Sequence, residues 1–182
     1  WDNPNFWIRF SLARAALNLT SGEEIGVIGP YQRQEQQGTL KRLGITRIYD
    51  LMEWSNFSQE NYRLAEHLCG GARTQSEVLA WRLPENFPAA LLYDYILTRQ
   101  RSPYIKFDET SFLEHTHKLL NYISVSKYIF DQEKPSLLIA SHNLSLCASL
   151  VWIALQQKIP VLIQVGDSGT LRFWLLTDKA EI

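Results

Sequence analysis

The feature that most limits what this chain can fold into lies in its last third. Residues 136–140 form a short apolar run after Lys134-Pro135, residues 146–155 are apolar almost all round, and residues 159–165 form a second unbroken run. A strand with one wet face alternates polar and apolar residues, so unbroken runs predict strands covered on both faces. A segment apolar around its whole circumference predicts a helix pressed onto that sheet. Strand, helix, strand is a crossover unit with parallel strands and a right-handed connection. A similar unit opens the chain, with a strand at residues 24–28, a short polar helix over 32–43 stopped by Gly44, and a strand at 47–51. Asn3 and Pro4 suit a helix start, and Phe6, Trp7, Phe10, Ala13 and Leu17 follow at helical spacing.

Between these units the pattern is helical. It runs from about Ser58 to Gln100, broken by Gly70-Gly71 and by Leu83-Pro84, with a strong helix over 89–98. Residues 111–133 are the clearest helix. Ser111 and Glu114 match a capping box, and Phe112, Leu119, Leu120, Ile123 and Phe130 share one face. The expected fold is therefore α/β: a Rossmann-like, mostly parallel sheet with helices on both faces, and one domain over residues 1–182. The 182 residues, 46% hydrophobic and 20% charged, suffice for such a core without a disulfide or metal.

Charge removes several functions. With 18 basic and 19 acidic residues there is no excess to draw the chain to nucleic acid or an anionic membrane. No apolar run is long enough to span a bilayer. The two cysteines, Cys69 and Cys147, sit in unrelated apolar segments, as expected of two buried thiols in a reducing compartment. Three glycosylation sequons, at Asn18, Asn56 and Asn143, are read as chance.

Open parallel sheets bind ligands beyond the carboxyl ends of their strands. Four predicted ends carry polar or glycine residues: Gly29-Pro30-Tyr31, Glu53-Trp54-Ser55, Ser141-His142-Asn143 and Gly166-Asp167-Ser168-Gly169-Thr170. His142 can move a proton or bind a hydroxyl, and Asn143 can do the latter or cap the next helix. Gly166, Ser168, Gly169 and Thr170 can present backbone N–H groups to an anion, or simply turn the chain. Arg172 can hold a phosphate or carboxylate. The 166–170 loop lacks the Lys of a P-loop, and the first strand lacks a dinucleotide-binding glycine turn. No cofactor is expected. His115 and His117 lie about 200° apart around their helix and cannot share a metal ion.

Three stretches carry a family resemblance. Trp1-Asp2-Asn3-Pro4-Asn5-Phe6-Trp7-Ile8-Arg9 is the first. Lys134-Pro135 through Ser141-His142, with the helix running on to Lys158-Ile159-Pro160-Val161, is the second. Gly166-Asp167-Ser168-Gly169-Thr170-Leu171-Arg172-Phe173 is the third, and Ala90-Leu91-Leu92-Tyr93-Asp94 adds to them. They resemble bacterial surface- and capsular-polysaccharide glycosyltransferases with two Rossmann-like domains across a cleft, the GT-B arrangement. The resemblance implies that this chain is the N-terminal, acceptor-side half of a longer protein, an expectation that its first residue, Trp1, also suggests. It implies a C-terminal nucleotide-sugar-binding domain as partner, a glycan acceptor, a cytoplasmic location at the inner face of the membrane, and little activity for the half alone. His142 and Asp167 are then the candidate catalytic groups. Asn143, Gly166, Ser168, Gly169, Thr170, Arg172 and Glu53 are the candidate substrate contacts. The alternative is a non-catalytic Rossmann-like module for a small ligand or a protein; a third is another group-transfer enzyme, such as a sulfotransferase or a decarboxylating sugar enzyme.

Overall fold

The computed structural model describes residue 15 and residues 25–28, 33–42, 45, 47–50, 58–140, 146–165 and 172–181. The helix predicted from Pro4 through Leu17 lies almost wholly outside them. Among the described residues the chain is α/β, with two small sheets around a helical centre.

The first unit is β1 (Ile25–Ile28), α1 (Arg33–Arg42) and β2 (Arg47–Asp50). β1 and β2 pair in parallel, Ile25 beside Arg47 and Ile28 beside Asp50. The helix lies close to β1 because residue 26 has no side chain: a Cβ there would stand 2.8 Å from Leu40 Cδ1 and 3.4 Å from Ile45 Cγ2. The Ile45 N–H turns back to the Leu40 carbonyl at 3.0 Å, a six-to-one bond that closes the helix end.

The centre is helical, as the periodicity predicts. α2 (Ser58–Gly71) ends at the glycine pair. α3 (Gln75–Leu79), a short 3₁₀ turn at Pro84–Asn86 and α4 (Ala89–Gln100) follow. α5 (Thr110–Glu133) packs against α2, α4 and the helix that follows it. Its predicted face is buried in full: Phe112, Leu119, Leu120, Ile123 and Phe130 are all inside, joined by Tyr122, Val125 and Ile129. The expected capping box is not formed. Glu109 occupies the N-cap without a side-chain bond, and Ser111 Oγ instead meets Glu109 Oε2 and Gln100 Nε2, each at 3.1 Å. The box occurs at Thr74 and Glu77, where each side chain bonds the other's backbone N–H.

The C-terminal unit is β3 (Leu138–Ala140), α6 (Cys147–Gln156) and β4 (Val161–Val165), followed by β5 (Arg172–Leu176) and a 3₁₀ turn at Lys179–Glu181. β3 and β4 are parallel neighbours and α6 packs on both, so the predicted crossover unit is present. β5 runs antiparallel to β4, with Val165 opposite Arg172. The segment 166–171 between them is far shorter than the roughly twelve residues a parallel return requires.

The expected single, mostly parallel sheet is not what the described residues form. The four predicted strands fall into two sheets, β1-β2 and β3-β4-β5, and the second is mixed. Nor is the second sheet covered on both faces, since four successive residues of β5 are exposed. Cys69 is buried as expected, whereas Cys147 is only partly so.

Candidate functional site

Parallel pairing gives β1 with β2, and β3 with β4, a common carboxyl edge. Asp50 closes β2 there and is buried, and Arg172 stands exposed opposite the last residue of β4. Arg172 is the one predicted site residue that the described structure places. Glu53, His142, Asn143, Gly166, Asp167, Ser168, Gly169 and Thr170 lie outside the described residues. α6 is described from Cys147 onward, with Leu146 in the cap position, helical in backbone and without a side-chain cap.

The densest polar constellation lies between α2 and α5. Asn61 Nδ2 donates to Asn121 Oδ1 at 2.9 Å and to Ser124 Oγ at 3.0 Å. Those bonds leave the Asn121 amide nitrogen facing His117 Nε2 at 3.0 Å. The same ring nitrogen lies 2.9 Å from the Ser58 carbonyl and 3.3 Å from Ser58 Oγ. Tyr62 meets the ring edge-on. Nε2 therefore faces a carbonyl acceptor, an amide donor and a hydroxyl that can take either part. With the ring proton on Nε2 the ring donates to the Ser58 carbonyl; with that proton on Nδ1, Nε2 accepts from the Asn121 amide. Ser58 begins α2 and follows the end of β2 after segment 51–57, so this network fixes the helix that leaves the β2 carboxyl edge.

Spacing along the chain excludes a shared metal ion for His115 and His117 and does not reveal this network. One half of it was visible: His117, Asn121 and Ser124 recur at helical spacing and mark one polar stripe on an apolar helix. The other half, Ser58 and Asn61, joins only through the packing of α2 on α5. His115 turns elsewhere, edge-on to Tyr95 of α4, so the two histidines address different helices. Among the described residues no three His, Cys, Asp or Glu side chains cluster as a metal site. None of their helices is long and apolar enough to cross a membrane.

An open groove of about 480 Å³ is lined by Phe130, Asp131, Lys134, Pro135, Gln157 and Ile159. It lies at the other edge, since Lys134 and Pro135 precede β3 and Gln157 and Ile159 precede β4. Its carboxylate is engaged: Asp131 accepts from Lys127 Nζ at 2.6 Å and from Gln157 Nε2 at 2.8 Å. Set against known proteins, the chain matches no family model, no curated protein and no solved structure.

Proposed function

We propose that this chain is the acceptor-side, Rossmann-like domain of a GT-B-type glycosyltransferase of bacterial surface-polysaccharide synthesis, working at the cytoplasmic face of the membrane with a nucleotide-sugar-binding domain as partner. The observation that carries the reading is the parallel pairing of β3 with β4 across α6. The segments that follow Ala140 and Val165, which hold His142 and Asp167, therefore leave from one edge of one sheet. The parallel β1–β2 pair repeats that arrangement. Exposed Arg172 beside the end of β4 supplies a cation for a phosphate or carboxylate.

In the proposed reaction His142 or Asp167 takes the proton of an acceptor hydroxyl. The freed oxygen attacks the anomeric carbon of the donor, the bond from that carbon to the phosphate breaks, and the nucleotide leaves with the electron pair. Arg172 holds a charged group of the acceptor in place. At least one of His142→Ala and Asp167→Ala, each in the enzyme joined to its donor domain, is expected to lower transfer about 10²–10⁴-fold with an unchanged melting temperature. Wild-type turnover in both variants would remove the proposed base. Titration of this chain with oligosaccharides and with nucleotide-sugars tests the assignment of halves. Oligosaccharide binding alone is expected, and tight nucleotide-sugar binding would reverse it.

A second reading, a non-catalytic module that binds a protein, is favoured by one observation: Phe173, Trp174 and Leu175 stand exposed in succession on β5.

A further inference from the structure

β5 is the terminal strand of its sheet, and among the described residues nothing pairs with its outer edge. Its residues Phe173, Trp174 and Leu175 are 37%, 55% and 60% exposed. Successive residues of a strand point to opposite faces, so both faces of this strand are apolar and open. Natural edges are usually blunted by proline, lysine, a bulge or a covering element, and between Phe173 and Leu176 β5 has no proline and no charge. The charges stand at its two ends: Arg172 at the start, and Asp178 just beyond Leu176, both exposed.

We infer that β5 pairs antiparallel with β5 of a second copy of this chain, about a twofold axis at Leu175. Charge selects this partner and this register. β5 begins with Arg172, and Asp178 stands two residues beyond its end, ahead of a Lys179 that is turned over the Trp152 ring; a strand flanked by opposite charges in this way is complementary to itself when reversed, which is the condition for a twofold interface. With Leu175 opposite Leu175 of the second copy, Trp174 meets Leu176, Phe173 meets Thr177, and Arg172 meets Asp178, twice by symmetry. Centring on Trp174 instead would set Arg172 against Leu176 and waste both charges. In the chosen register the pairs within β5, Leu175 with Leu175 and Trp174 with Leu176, each share a face, and large apolar side chains directly across an antiparallel pair stabilise it. Asp178 Oδ1 accepts from the Ala180 N–H at 2.8 Å, which holds the carboxylate at the strand end. The dimer joins two three-stranded sheets into one and rests on β5 alone; it shares only Arg172 with the proposed transfer reaction, and in the dimer that guanidinium meets Asp178 instead of an acceptor.

The test is sedimentation equilibrium of the chain over a concentration series from low micromolar to submillimolar, together with a register-specific cross-link. A monomer–dimer equilibrium is expected. Arg172→Glu is expected to weaken it roughly tenfold or more, and Arg172→Glu combined with Asp178→Lys to recover most of that loss. Asp178→Asn keeps an oxygen for the Ala180 N–H and is expected to weaken dimerisation as well, which separates lost charge from a lost turn. Leu175→Cys, at an exposed position, is expected to give a disulfide-linked dimer on mild oxidation, whereas Phe173→Cys and the unmodified chain do not. Circular dichroism and melting temperature verify that each variant is folded. A chain that stays monomeric throughout the series, or a dimer indifferent to residues 172, 175 and 178, overturns the inference; the first result leaves β5 for a different protein or domain, the second places the dimer on another face.

Discussion

Two histidines on α5, two residues apart, show how much a side chain's setting matters. His117 is held by Ser58, Asn121 and, through Asn121, Asn61. His115 lies against the Tyr95 ring, whose face also carries the Arg99 guanidinium at 5.4 Å. Burial, then the nearby Arg99 charge, holds the His115 ring below its usual value of 6.5, with Glu114 opposing and Lys118 adding to the shift. A lowered value means that the unfolded chain binds the proton more readily. The contribution of His115 is therefore whole above about pH 6.5 and is lost as pH falls through that value and below. His115→Gln is expected to flatten part of the stability decline between about pH 6.5 and 5 in urea titrations. A decline as steep as in the unmodified chain would show that the ring is not a source of it. The buried pair Ser126 and Ser149 differs in kind. Ser149 Oγ reaches both Ser126 Oγ and the Leu146 carbonyl, so it ties α5 to the first turn of α6 with no titratable group.

At the scale of elements, ends matter more than middles. α3 has only five residues, too few to persist without a cap. Thr74→Ala removes the Oγ that accepts the Glu77 N–H and is expected to cost about 1 kcal/mol, read as a lower melting temperature. Arg101 closes α4 in the left-handed region, at φ 49°, where a Cβ is strained. Arg101→Gly relieves that strain and is expected to raise stability by about 0.5 kcal/mol, read as a higher melting temperature. Such ends are only half legible in a sequence. Ser111 and Glu114 have the spacing of a capping box, but α5 starts at Thr110 and Glu109 takes the cap. Thr74 and Glu77 have the same spacing and do form the box. Helix middles were readable because burial imposes a period, as Phe112, Leu119, Leu120, Ile123 and Phe130 show. The β5 reversal was not readable from apolar content, since Arg172–Leu176 resembles any short strand; the clue was the length of segment 166–171. Of the candidate site, Arg172 stands out after a predicted strand end, and His117, Asn121 and Ser124 are legible only as polar residues at helical spacing, a pattern that by itself signals no site. Their partners Ser58 and Asn61 come from a different helix, and single-helix periodicity holds no information about them.

Across the whole molecule, the two sheets are tied through the end of α5. The Glu133 carboxylate, 3% exposed, accepts from both Arg47 and Tyr49 of β2, shortly before β3 begins at Leu138. Tyr49 also packs on the main core. A two-stranded parallel sheet is marginal alone, so β1-β2 depends on such ties. Glu133→Gln keeps the shape and one acceptor but discards the charge that Arg47 meets, at an expected cost of about 1–3 kcal/mol. The loss should be uneven. Amide exchange in Ile25–Ile28 and Arg47–Asp50 is expected to accelerate more than exchange within α5, because a severed tie frees the small sheet before it unfolds the core. Alkali offers the same cut without mutation. The hydrogen bond to Glu133 first, then burial and the Glu133 charge, raise the Tyr49 phenol above its usual 10.0, against the opposing pull of Arg47. A raised value means that the contribution is whole below about pH 10 and is lost as pH rises through the raised value. Tyr49→Phe, weaker than the unmodified chain at neutral pH, is therefore expected to lose less on going from about pH 9 to 11. Parallel declines for the two proteins over that range, with uniform exchange in Glu133→Gln, would mean that the sheets are held together elsewhere.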